Sequence, residues 1–121
     1  MLDQKYITKA QTFLENPQED KVITVDELKD AIDDGKHFFL LDVRMPDEVA
    51  EGKIPGVVNI PLPELDSRWS EVPKDKNIIT VCARGGRAAA AMFILQDKGY
   101  NKIHTLLGGT LGWIQEGNKV E

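Results

Sequence analysis

Ile78-Ile79-Thr80-Val81-Cys82-Ala83-Arg84-Gly85-Gly86-Arg87-Ala88-Ala89-Ala90-Ala91 is the stretch on which the fold turns. Four apolar or β-branched residues in a row read as a buried strand, and the alanine run reads as a helix whose small side chains let it lie close to that strand. Between them stand a cysteine and a glycine-rich turn. The unit is strand, cysteine, loop, helix, and its strand is set at Asn77 to Val81 and its helix at Ala88 to Lys98, stopped by Gly99.

The same alternation continues in both directions. Downstream, Lys102 to Leu106 reads as a strand and Thr110 to about Glu116 as a last helix. Upstream come a helix around Pro63 to Trp69, a strand at Val57 to Ile60, a short helix at Pro46 to Glu51 and a strand at Phe38 to Val43. Before these, Thr24 stands three residues ahead of Glu27, the signature of a capping box, and predicts a helix to about Asp33, closed by Gly35, behind a brief extended piece at Val22 to Thr24. Tyr6, Ile7, Ala10, Phe13 and Leu14 recur at helical spacing and end at Asn16 and Pro17. Five short apolar strands separated by helices predict an α/β fold with a mainly parallel sheet covered by helices on both faces. The organisation read from this is an N-terminal helical extension over residues 1–20 and one domain over residues 21–121.

Composition narrows the function. With 121 residues the chain is one ordinary domain, and its single cysteine allows no internal disulfide. A formal net charge of -5 disfavours nucleic acid and anionic lipid as main partners. No apolar run approaches the ~20 residues a membrane helix needs. The first twenty residues carry charges throughout and lack the apolar middle of an export signal, so the chain reads as cytoplasmic, with prior removal of such a signal left open. His37 and His104 have no clustered ligand partners, and no metal site is read. Trp113 reads as core, Trp69 as partly exposed, and the acidic stretch from Asp26 to Asp34 as a solvated helix face.

The chemistry gathers at Cys82. Paired glycines permit backbone conformations with positive φ, so that N–H groups of Ala83, Arg84, Gly85, Gly86 and Arg87 can turn toward one point and bind an anion. Those groups and the positive end of the following helix favour a thiolate over a thiol. Arg84 and Arg87 add positive charge at the rim, suited to a small anionic partner. A lone cysteine is commonly just a small core residue. A merely structural one, however, requires neither a Gly-Gly pair nor two arginines in the next turn. Asp42 ends a buried strand beside this loop, which fits a hydrogen-bonded bracing role.

An ordered set of segments carries a family resemblance: Leu41-Asp42-Val43-Arg44 with Pro46; Gly52-Lys53-Ile54-Pro55-Gly56-Val57 with Asn59-Ile60-Pro61; the Cys82 loop; and Gly108-Gly109 before Trp113. Over about Val22 to Glu116 the chain resembles the rhodanese-like domains, single-domain thiosulfate sulfurtransferases among them. The resemblance implies a three-layer α/β sandwich and a two-step sulfur transfer, in which Cys82 takes sulfane sulfur from thiosulfate or a related anionic donor and passes it to cyanide or a thiol. It implies Cys82 as nucleophile, Ala83 to Arg87 as anion cradle, and Asp42 and Arg44 as supports, with neither metal nor organic cofactor. A sulfur-relay protein is a further partner consistent with it. Two positions depart from the family pattern. Lys53 stands where a histidine is common before Ile-Pro-Gly, and Ala88 where a serine is common after the loop arginine.

Two rivals remain at this level. A phosphatase or arsenate reductase on the same fold uses Cys-x-x-x-x-x-Arg, one residue longer than the spacing from Cys82 to Arg87. A sulfur carrier or docking module for a partner protein needs the same persulfide and differs only in its acceptor.

Overall fold

The computed structural model describes residues 2–121. In chain order the elements are α1 (Gln4–Glu15), β1 (Val22–Ile23), α2 (Val25–Asp33), β2 (Phe39–Asp42), α3 (Pro46–Glu51), β3 (Val58–Asn59), α4 (Leu62–Arg68), β4 (Ile78–Val81), α5 (Gly86–Asp97), β5 (Ile103–Leu106) and α6 (Gly109–Gln115). The strands form one five-stranded sheet in the order β1-β5-β4-β2-β3. Every pairing in it is parallel, with Leu41 opposite Thr80, Asp42 opposite Val81 and Ile79 opposite His104. The expected α/β sandwich is therefore present, and its sheet is wholly rather than mainly parallel.

Alternation along the strands divides the core into two. Leu41, Ile78 and Ile103 point to the side covered by α1, α4 and α5, whereas Leu40, Ile79, Val81 and Leu106 meet Val25 and Leu28 of α2 and Trp113 of α6. Covering both faces is what a parallel sheet requires, since its strands are apolar on both sides. In α5 the residues Ala88 to Ala91 are all buried, so the helix backbone lies close on β4. Beyond them Met92, Ile94 and Leu95 are fully buried, each contributing about 1.5–3 kcal/mol of apolar burial.

α1 shares this core. Tyr6, Ala10 and Phe13 are buried in it; the Phe13 ring meets Phe93 edge-on at 5.7 Å, and the Tyr6 hydroxyl donates to Asp97 Oδ2 at 2.7 Å. The capping box opens α2 as expected, with Thr24 Oγ1 accepting from the Glu27 amide at 3.1 Å and the Thr24 amide donating to Glu27 Oε1 at 2.9 Å. Thr24 thus caps the helix and does not belong to β1. Trp113 is core and Trp69 half-buried, and the acidic residues of α2 face solvent.

The chain runs from β2 outward to β3, then crosses back to place β4 on the other side of β2 and β5 beyond it. The strand order thus reverses between β2 and β4, and the carboxyl ends at such a point are where open α/β sheets bind ligands. Cys82 follows β4 and Arg44 lies just beyond the end of β2, one on each side of that switch point.

One polar group in the sheet has no partner. Thr105, 1% exposed in β5 between β1 and β4, has a hydroxyl with no hydrogen bond among the described residues. Thr105→Val keeps the shape, removes the unsatisfied hydroxyl and suits a strand. It is expected to stabilise the fold by about 1 kcal/mol, read as a higher urea midpoint at unchanged m-value.

Candidate active site

The loop after β4 closes around the sulfur of Cys82. The side chain is 1% exposed, and Sγ accepts hydrogen bonds from the Gly85 amide at 3.0 Å and the Ala88 amide at 3.3 Å. The second bond has a simple origin. α5 begins at Gly86, so Ala88 is its third residue, and the N–H there is one of the donors every helix leaves unpaired at its start. Ser, Asp or Asn usually accepts it from the capping position. Here that position is Gly85, which has no side chain, and the sulfur takes the proton donor instead.

Gly85 adopts φ +120°, a region that L side chains rarely enter, and this turns its N–H inward. Gly86 has no such φ; it is the first residue of α5, and an added Cβ there would come 4.0 Å from Leu14 of α1. The nest is thus built on one unusual glycine, and the helix starts two residues earlier than its alanine run suggests. On the sheet side, Thr80 Oγ1 donates to the Ala88 carbonyl at 2.8 Å and ties β4 to the first turn of α5.

The carbonyls of the loop are held by α6. The Thr110 amide donates to Cys82 O at 2.8 Å and the Leu111 amide to Ala83 O at 3.0 Å. These bonds draw the start of α6 so close that only a glycine fits at residue 109. A Cβ there would lie 2.5 Å from Ala83 O and overlap Cys82 O as well. Gly109 therefore serves the cysteine loop directly.

Asp42 and Arg44 form a buried pair, 0% and 5% exposed. Arg44 Nη2 donates to Asp42 Oδ2 at 2.7 Å and Nε to Oδ1 at 3.0 Å. The guanidinium also donates to the carbonyls of Glu48, inside α3, at 3.3 Å and of Gly52, the residue after α3, at 3.0 Å. Asn59 Nδ2 adds bonds to the carbonyls of Asp42 and Arg44 at 2.8 and 2.9 Å. The pair thus braces α3. It reaches the loop through one further link, because Glu48 of α3 holds Arg87 with two hydrogen bonds of 2.6 and 2.9 Å. Arg84 is exposed and makes no hydrogen bond or ion pair among the described residues.

Sequence reasoning missed Glu48. Its position three residues into a Pro-initiated helix marks it as a capping residue, and Glu48 Oε1 does accept from the Met45 amide at 3.0 Å. The Arg87 guanidinium lowers the Glu48 carboxyl from its ordinary 4.5 to about 2, against a smaller opposing effect of burial. A carboxyl depressed by folding stabilises the native state above its unfolded value and loses that contribution as pH falls through its folded value. Glu48→Gln is therefore expected to flatten the acid limb of stability between about pH 4.5 and 2, measured by circular dichroism across a pH series.

A single cysteine sulfur, met by two backbone N–H groups at the switch point of a parallel sheet, invites comparison with known proteins. The sequence model of the rhodanese-like domain matches residues 24–116. The chain belongs to this family. Among similar proteins, a sulfurtransferase of Allochromatium vinosum is 33% identical over 95 residues, 78% of this chain and 89% of that protein. The mitochondrial thiosulfate sulfurtransferase RDL2 of Saccharomyces cerevisiae is 31% identical over 113 residues, 80% of this chain and 74% of that one. A rhodanese-related protein from Thermoplasma volcanium superimposes with a TM-score of 0.77 at 37% identity, covering 84% of this chain and 97% of that chain. Helix α1 precedes the matched segment of the rhodanese-like domain. No group of three His, Cys, Asp or Glu residues suited to a metal occurs among the described residues, and no helix there is long and apolar enough to cross a membrane.

Proposed function

We propose that this rhodanese-like domain transfers sulfane sulfur from thiosulfate or a related anionic donor to cyanide or a thiol through a persulfide on Cys82. The observation that carries the reading is the pair of backbone N–H groups, of Gly85 and Ala88, directed at the sulfur of the one cysteine where the strand order of the sheet reverses. In the first step the Cys82 thiolate attacks the outer sulfur of thiosulfate. The bond between the two thiosulfate sulfurs breaks, its electron pair leaves with sulfite, and Cys82 keeps a persulfide anion. In the second step cyanide or a thiolate attacks the terminal sulfur, and the electron pair of the breaking S–S bond returns to Cys82. The chain's own residues supply the nucleophile Cys82, the loop Ala83 to Arg87 with the Gly85 and Ala88 amides on the sulfur, and the bracing by Asp42 and Arg44. A protein acceptor in a sulfur relay would use the same persulfide.

Two features weigh against the phosphatase alternative. The loop has only four residues between Cys82 and Arg87, so it offers few donors for the peripheral oxygens of a phosphoryl group. Arg87, which would meet those oxygens, already holds a carboxylate. Intact mass after incubation with thiosulfate tests the proposal: one sulfur atom is expected on the protein, removed by cyanide with release of thiocyanate. Faster hydrolysis of an aryl phosphate than transfer of sulfur, at matched concentrations, would overturn it.

A further inference from the structure

Helix α1 lies outside the segment that matches the rhodanese-like domain, yet it reaches the cysteine loop. Tyr6, Ala10 and Phe13 are buried and fix the helix on the core. Ile7 and Leu14, about two turns apart, flank that stripe and stay partly open, Leu14 being 37% exposed. With Leu62 of α4 and Gly86, Arg87 and Ala90 of α5 they line a cavity of about 380 Å³, a volume in the range of small-ligand sites. The cavity borders the cysteine. Between Gly85 and Ala88, whose amides meet Cys82 Sγ, stand Gly86 and Arg87, and both belong to its wall. Leu62 lies at the same end of the sheet, its amide donating at 3.0 Å to the carbonyl of Val43 just beyond β2. Chemically the wall is apolar. Gln11 and Arg87 are its polar side chains, and the Arg87 guanidinium is held by Glu48 through bonds of 2.6 and 2.9 Å, which cancel its charge at a distance. A charged group entering there would shed water and find no free counter-ion, whereas a hydrocarbon gains by burying its surface.

We propose that this cavity between α1 and the start of α5 is a subsite for the uncharged hydrocarbon tail of an organic thiol that accepts sulfur from Cys82. The proposal rests on the sulfur-transfer reading and names the class of its second substrate. The acceptor thiolate attacks the outer sulfur of the Cys82 persulfide. The bond from that sulfur to Cys82 breaks, its electron pair returns to Sγ, and the acceptor leaves as an organic persulfide. Thiosulfate and cyanide have no tail and leave the cavity unused, so α1 acts on the choice of acceptor and not on loading.

Mercaptohexanol and mercaptopropanol test this, since they share a primary thiol and a terminal hydroxyl and differ by three methylenes. With thiosulfate as donor, kcat/KM of the wild type for mercaptohexanol is expected to exceed that for mercaptopropanol about tenfold, mostly through KM. That is less than the roughly fourfold per methylene of complete burial, because the cavity is open on one side. Leu14→Asn and Ile7→Asn put an amide into the wall and should bring the ratio to within about twofold of one. Ile32→Asn, at a position 36% exposed on α2 across the sheet, should leave it at about ten. The ratio is internal to each variant, so a loss of folded protein lowers both rates alike and does not move it. Independently of turnover, hexanol, a tail without sulfur, is titrated into the isotope-labelled protein, and amide shifts are expected to gather at Leu14, Gly86 and Ala90. Equal kcat/KM for the two thiols in the wild type, a ratio unmoved by both wall variants, or hexanol shifts that gather elsewhere would overturn the subsite. If the wild type took up no sulfur while hexanol shifted these amides, the sulfur-transfer reading would fall and the cavity would stand as a site for an apolar tail.

Discussion

Cys82→Ser is expected to lower sulfur transfer from thiosulfate to cyanide by at least about three orders of magnitude while the protein stays folded. The size of the loss follows from what the reaction asks of residue 82. Its atom must be a nucleophile at neutral pH, form a bond to sulfur and later accept the electron pair of that bond. A serine hydroxyl is almost never ionised near pH 7, and an oxygen–sulfur adduct offers no persulfide to the acceptor. The structural cost is small by comparison. The hydroxyl is slightly smaller than the thiol and can accept from the same Gly85 and Ala88 amides, so the loop keeps its partners. About 1 kcal/mol of stability is the expected price in this buried position. Intact mass after thiosulfate and a thiocyanate assay measure the first effect, and urea unfolding the second. Turnover within tenfold of wild type would mean that residue 82 is not the sulfur carrier.

That expectation was available from the strand, cysteine, loop and helix of residues 78–91, because a buried strand, a Gly-Gly turn and an alanine run are each local signals. Alternation gave the parallel sheet, and Thr24 with Glu27 gave the start of α2. What local signals could not give is whatever depends on a partner far along the chain. The alanine run puts the start of α5 at Ala88, yet the helix begins at Gly86. Its cap is a cysteine sulfur from the strand end, which no capping pattern anticipates. Arg87 reads in sequence as positive charge at the rim, and its partner Glu48 is 39 residues away on another element. Asp42 is legible as a buried strand end beside the loop, and Arg44 only through the resemblance. Their joining to it through α3 required the hydrogen bonds.

Gly109→Ala is the expected second large effect, and it shows how the end of the chain governs the cysteine. Gly109 has φ +59°, where an alanine pays roughly 1–2 kcal/mol for a left-handed backbone. Sterics add to this. The new Cβ would lie 2.5 Å from Ala83 O, well inside contact distance, and would also overlap Cys82 O. Both atoms are backbone and cannot swing aside like the end of a flexible side chain. Relief comes only if α6 backs away from the loop, and that stretches the bonds from Thr110 N to Cys82 O, 2.8 Å, and from Leu111 N to Ala83 O, 3.0 Å. The combined loss is expected to be about 3–5 kcal/mol, a large share of a domain's stability. Gly117→Ala is the comparison that isolates the clash, since Gly117 has φ +80° with nothing within 4 Å of an added Cβ. It should cost only the left-handed term, about 1–2 kcal/mol. Sulfur uptake should separate the two variants further. In Gly109→Ala the displaced Cys82 carbonyl shifts the sulfur relative to the Gly85 and Ala88 amides, so loading by thiosulfate falls even under conditions where the variant is folded, whereas Gly117→Ala loads as wild type does. Equal destabilisation of the two variants in urea would show that α6 does not hold the loop by close approach.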